Sequence, residues 1–219
     1  MADKEADPFR IDSPIYVLCE GPADVRLVRR LLEREDLEDF SVNYAKGCER
    51  FARHVQGLRT SSDWRKLKRL VIIGDNDTDP TARWRNARSA LTLEGLPAPD
   101  NPVTIVDGTH DSPSTGIYMM PRANAIGALE TLLVEAILQE HEGFTECLQQ
   151  LDACPATDCG GWDAVKRAKM QFQTVVAITC RDDPSAGAAH IWSKTHNPVP
   201  AASPVFDELA EFLRRAAEI

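Results

Sequence analysis

The chain has no apolar stretch approaching the ~18–20 residues that a membrane-crossing helix needs. Its hydrophobic runs, such as Ile15–Cys19 and Leu70–Ile73, are far shorter. Met1 to Asp12 mixes acids with Lys4 and Arg10 and has no apolar segment of a secretory signal. A cytoplasmic location without membrane contact is therefore the expectation. The six cysteines include no C-x-x-C pair, so they read as reduced thiols; Cys147, Cys154 and Cys159 are spaced too loosely for a zinc ribbon. The five histidines, His54, His110, His141, His190 and His196, fall into no ligand or triad pattern, and neither G-x-S-x-G nor a Walker loop occurs. A basic excess is missing too: the net charge is −9. That charge is uneven. Residues 1–90 carry 17 Lys+Arg against 16 Asp+Glu, while residues 91–219 carry 8 against 18. An anionic partner would therefore dock on the N-terminal part.

What is present is an α/β pattern. With 219 residues the chain is long enough for one sizeable core, and a single domain over 1–219 is expected, with its core at about 13–138 and a helical extension at about 139–219. Ile15–Cys19 and Leu70–Gly74 are continuous runs of β-formers, the signature of strands buried on both faces of a parallel sheet. Ser41–Tyr44, Val103–Val106 and Ile117–Met120 read as further strands, with a polar loop over Asp107–Gly116. Helices are expected from about Ala23, around Phe51–Leu58, over Thr81–Leu93, after Gly127, around Cys147–Leu151 and over Trp162–Ile178. A last one is capped by Ser203 with Pro204 at its first position. Alternating strands and helices give a Rossmann-like, mostly parallel central sheet flanked by helices. Ligands of such sheets bind outside the carboxyl ends of the strands.

Acidic residues stand at those ends. The first strong strand runs into Glu20-Gly21-Pro22-Ala23-Asp24 and the second into Asp75-Asn76-Asp77. At an effective dielectric of ~20, two like charges ~4 Å apart repel by roughly 4 kcal/mol. A hard divalent cation relieves that repulsion, and Mg²⁺ favours a few carboxylates, retained waters and phosphate oxygens. The pattern points to Mg²⁺ or Mn²⁺ held at a phosphate.

The two segments, a hydrophobic strand ending in E-G-x-x-D and another ending in D-x-D, resemble the defining motifs of the Toprim domain. The stretch Met120-Pro121 … Gly127-Ala128-Leu129-Glu130 resembles stand-alone Toprim-like proteins related to the overcoming-lysogenization-defect (OLD) nucleases. The basic Lys166-Arg167-Ala168-Lys169 segment and the region Trp192 to Leu213 are similar to that group as well. The resemblance implies a Toprim-like fold and a Mg²⁺- or Mn²⁺-dependent nuclease acting on DNA or RNA. It implies Asp75 and Asp77 as metal ligands and Glu20 as metal ligand or general acid/base. Asp24 and Glu130 would serve a second ion, and Lys169, ahead of Lys166, would stabilise the transition state. Asp79-Pro80 departs from the glycine that many Toprim domains carry after D-x-D.

Three other readings use the same residues. A haloacid-dehalogenase-like phosphatase shares the strand-end D-x-D, with Asp79 where Thr or Val belongs. An EF-hand loop is excluded by Pro80 and Asn86 at its sixth and twelfth positions. A non-catalytic Toprim module would bind nucleic acid or a protein partner, and a homodimer is compatible with either reading. Arg26, Arg29, Arg30 and Arg34 form a stripe whose simplest reading is a solvated face paired with Glu33 and Glu35. Arg83, Arg85 and Arg88 read the same way.

Overall fold

The computed structural model describes residues 9–153 and 162–219. Five strands form one sheet: β1 (Ile15–Cys19), β2 (Phe40–Tyr44), β3 (Arg69–Asp75), β4 (Thr104–Val106) and β5 (Ser114–Met120). Their order is β2-β1-β3-β5-β4. All neighbours are parallel except β4, which runs antiparallel to β5. The helices are α1 (Pro22–Arg34), α2 (Phe51–Thr60), α3 (Pro80–Thr92), α4 (Leu129–Glu140), α5 (Gly143–Ala153), α6 (Ala164–Thr179) and α7 (Asp207–Ala217). The expected α/β class with a mostly parallel, helix-flanked sheet is the one observed, and the chain closes on a C-terminal helix.

The period of two along each strand sorts the core into two layers. Val17, Cys19, Val71, Ile73, Tyr118 and Met120 face α1, α4, α6 and α7. Tyr16, Leu18, Leu70, Ile72, Ile117 and Met119 face α2 and α3. The residues of α6 and α7 thus share one buried layer with the sheet. Gly116 on β5 lets α7 approach closely: a Cβ there would stand 3.0 Å from the Phe212 ring. The buried His54 bonds the Tyr16 hydroxyl at 3.0 Å, a structural role. β1 leads through α1 to β2 on one side, and the chain then crosses back through α2 to β3 on the other. The sheet therefore reverses direction between β1 and β3, the switch point at which open α/β sheets bind ligands.

β5 begins at Ser114 rather than at Ile117, so the loop expected over Asp107–Gly116 is shorter than its composition indicates. The reason is a buried cation. Arg69 at the start of β3 donates to Ser114 Oγ at 2.8 Å, which helps register the two strands. Its guanidinium also donates to the carbonyls of Arg215, Ala216 and Glu218 at 2.9, 2.7 and 3.0 Å. Those carbonyls lie at the end of α7, where a cation completes the helix's unpaired acceptors; only Arg215 also accepts a backbone bond, from Glu218 N–H at 3.3 Å. Arg69→Leu is expected to strand them and to cost about 2–4 kcal/mol. Chemical denaturation measures that loss, and a variant as stable as the parent would refute the capping role.

Candidate metal centre

Glu20 follows the last residue of β1, and Asp75 ends β3. The β1–β3 pairing sets Cys19 beside Ile73, which brings the two exits together. Glu20 Oε2 accepts from the Asp75 backbone N–H at 3.3 Å, while the Glu20 carbonyl accepts from Gly47 N–H at 3.0 Å. Asp24 lies in the first turn of α1, where Gly21 is the N-cap and Pro22 follows. Its Oδ2 reaches back to accept from Gly21 N–H at 2.8 Å. Asp75 Oδ1 accepts from Leu129 N–H at 3.0 Å, so this carboxylate caps the start of α4 and draws Glu130 to the same corner.

The buried residue Asn76 fixes that approach. Its backbone N–H donates to the Met120 carbonyl at 2.8 Å, and its side-chain amide donates to the carbonyls of Arg122 and Ala125 at 2.7 and 2.8 Å. Gly127 N–H donates to the Asp77 carbonyl at 2.9 Å. Gly127 has φ +145°, and a Cβ on it would come within 2.7 Å of Thr131 Oγ1, so only glycine suits the position. The loop after β5 is thereby clamped over the end of β3.

Four carboxylates from three chain segments feel one another here. Burial pushes the Asp24 carboxyl up from the ordinary 3.8 to about 7, and the charges of Glu20 and Glu130 add to the rise against the Gly21 bond. Burial also pushes Asp75 well above its ordinary range. Asp24, Glu20 and Glu130 push the same way, and the Leu129 N–H opposes them. Desolvation and like charge both disfavour ionisation, and carboxyls perturbed in this way are a recurring feature of functional sites.

Asp77 turns elsewhere. Its backbone has φ +48°, a left-handed conformation that aspartate tolerates better than most residues. Its carboxylate is paired with Arg83 on α3, whose other guanidinium nitrogen contacts Cys48 Sγ. Asp77 and Arg83 line a cavity of about 320 Å³ with Lys166 and Lys169 of α6. Both lysines are exposed. Asp79 accepts from Ala82 N–H at 2.9 Å and caps α3, so it shapes the turn.

The structure thus draws Glu20, Asp24, Asp75 and Glu130 to one corner, and sets Asp77 facing Lys169 across the adjoining cavity. Among the described residues, no three His, Cys, Asp or Glu side chains close into a metal-holding cage. Cys154 and Cys159 lie outside the described residues. Two positioning residues had no distinct signal. Asn76 is simply the middle of D-x-D, and Arg83 lies on a segment read as a solvated face. The stripe on α1 does pair as expected, Arg30 with Glu33 and Arg34 with Glu35.

Among the described residues no helix is long and apolar enough to cross a membrane. No curated protein matches the chain. Among solved structures it is similar to the C-terminal region of the Burkholderia pseudomallei OLD protein, at 17% identity over 94% of this chain and 98% of that one, with a TM-score of 0.47. It is also similar to the C-terminal region of the Xanthomonas campestris pv. campestris OLD protein, at 18% identity over 94% of each chain, with a TM-score of 0.42. The family described as protein of unknown function (DUF3226) matches residues 14–218, and the chain belongs to that family.

Proposed function

We propose that the protein is a Toprim-type nuclease that hydrolyses phosphodiester bonds in DNA or RNA with Mg²⁺ or Mn²⁺. One observation carries the reading: Glu20, Asp24, Asp75 and Glu130 converge at the sheet's switch point, where burial and the charges of Glu20 and Glu130 raise the proton affinity of Asp24 and Asp75. Their donors are all carboxylate oxygens, which fit a hard divalent ion. Among the described residues no three such side chains stand close enough together to hold an ion as they are, so an ion bound here would have to draw the carboxylates inward. Asp75 with Glu20 would hold the first ion, Asp77 joining them only by exchanging its Arg83 partner for the metal, and Asp24 and Glu130 would support a second. When bound, the ion supplies Lewis acidity and positive charge at the scissile phosphate. Glu20 also serves proton transfer to and from the attacking and leaving oxygens. Lys169, facing Asp77 across the cavity, neutralises charge that develops on the phosphate.

The test uses end-labelled single- and double-stranded DNA and RNA with Mg²⁺, Mn²⁺ or EDTA. Cleavage is expected with a divalent ion and none in EDTA. Glu20→Ala and Asp77→Ala are each expected to lose about 100-fold or more in rate. Wild-type rates in both variants would refute the assignment. Metal binding without turnover on any substrate would instead favour the non-catalytic module.

A further inference from the structure

A second cluster lies on the exposed face of α1. Arg26, Arg29 and Arg30 line a cavity of about 220 Å³ together with Glu33, His190 and Trp192. Trp192 sits in a short 3₁₀ turn over Ile191–Ser193 and packs on Phe206. It is 7% exposed, and its indole N–H is buried without a hydrogen-bond partner among the described residues. A buried donor left unpaired is costly and uncommon in folded proteins. Arg30 donates to the Trp192 carbonyl at 3.1 Å and to Glu33 at 2.9 Å, which ties the turn to the helix. Arg29 donates to the Val42 carbonyl at 3.1 Å. Arg26 makes no hydrogen bond or ion pair among the described residues. Three guanidinium groups therefore face one carboxylate, in a chain whose net charge is −9.

We infer that this cavity is a phosphate-binding site, in which Arg26 donates to the anion's oxygens, Arg29 and Arg30 supply the surrounding charge and the Trp192 ring forms part of the wall. Guanidinium forks match phosphate oxygens geometrically. The volume lies below the ~300–1,000 Å³ of pockets that enclose drug-sized ligands, so it suits a small anionic group. Two sources present that group: a phosphodiester of a nucleic-acid strand, or a free phosphate monoester. The site lies near the carboxylate corner, since six helical residues from Asp24 to Arg30 span about 9 Å. Only the strand source rests on the nuclease reading.

The four tryptophans, Trp64, Trp84, Trp162 and Trp192, give four indole resonances in an ¹⁵N-labelled sample. The one missing in Trp192→Phe assigns Trp192, and the other three report that the fold persists. Titration with inorganic phosphate at constant ionic strength is expected to move the Trp192 resonance saturably and leave the others in place. Arg26→Gln is expected to weaken that binding about tenfold. A ten-nucleotide thymidine strand, added in EDTA, separates the sources. If it moves the resonance at lower concentration than phosphate, the ligand is a strand; the reverse order assigns a monoester. A Trp192 resonance that neither ligand moves, or one unaffected by Arg26→Gln, overturns the inference. Either result leaves the cleavage assay and the carboxylate reading standing.

Discussion

Asp75→Asn is expected to abolish metal-dependent cleavage, by about 10³-fold, while raising the melting temperature of the metal-free protein. The two effects share a cause. Asparagine keeps an oxygen that accepts from Leu129 N–H, so the clamp between β3 and α4 is retained. It removes a buried negative charge that stands against Asp24, Glu20 and Glu130. Relief of about 1 kcal/mol raises Tm by roughly 2–4 °C in a chain of this size. Opposite signs matter, because a variant that merely unfolds loses activity and stability together. Scanning fluorimetry in EDTA at pH 8, run beside the cleavage assay, separates the cases. A lower Tm would mean that Asp75 serves chiefly as a structural cap, and retained cleavage would remove it from the metal site.

The layered sheet was legible because its signals are local. The runs of β1 and β3 are apolar on both faces, and the helical stripes of α1, α4 and α7 repeat at the expected spacing. Where the sequence misled, contacts between distant segments decided the outcome. Ser114, Thr115 and Gly116 have the composition of a turn. They become strand because Arg69, 45 residues earlier, bonds Ser114 and reaches on to the end of α7. Ser203 and Pro204 mark a helix start correctly, yet the chain first makes a 3₁₀ turn over Pro204–Phe206, and α7 begins at Asp207.

At the site, Glu20, Asp24 and Asp75 are visible because strand exits and glycine turns stand out in one dimension. Glu130 became a candidate only through the resemblance. The clamp that brings it in consists of backbone carbonyls reached by Asn76, and carbonyls carry no sequence signal. Arg83 escaped for a related reason. Six residues beyond Asp77 on a helix, it reads as surface, and only the left-handed turn at Asp77 points the carboxylate towards it. Arg34 likewise pairs with Glu35 as expected but also holds Asp207 at 3.1 Å, tying α7 to α1 across the length of the chain.

Stability in EDTA is expected to fall as pH rises from about 4 to about 7, and Asp24→Asn is expected to flatten that fall. The Asp24 carboxyl titrates near 3.8 in the unfolded chain and at about 7 in the folded one. Between those values the folded state holds a proton that the unfolded state has released. By linkage, unfolding then becomes easier with each rise in pH, and the loss is complete above the folded value. A shift of that size corresponds to something on the order of 4 kcal/mol, shared with Glu20 and Glu130, whose charges produce part of it. The amide oxygen of Asp24→Asn can still accept from Gly21 N–H, so the variant isolates the charge. Denaturant melts of both proteins from pH 4 to pH 8 should diverge steadily up to pH 7 and run parallel beyond it. Adding 10 mM Mg²⁺ at pH 8 should recover part of the wild-type loss, because an ion that binds only the folded, ionised corner stabilises it by mass action. The same addition should do less for Asp24→Asn, which has one ligand fewer. Parallel curves throughout would show that Asp24 carries no unusual proton affinity. Divergent curves that Mg²⁺ leaves unchanged would keep the buried charge and remove the metal.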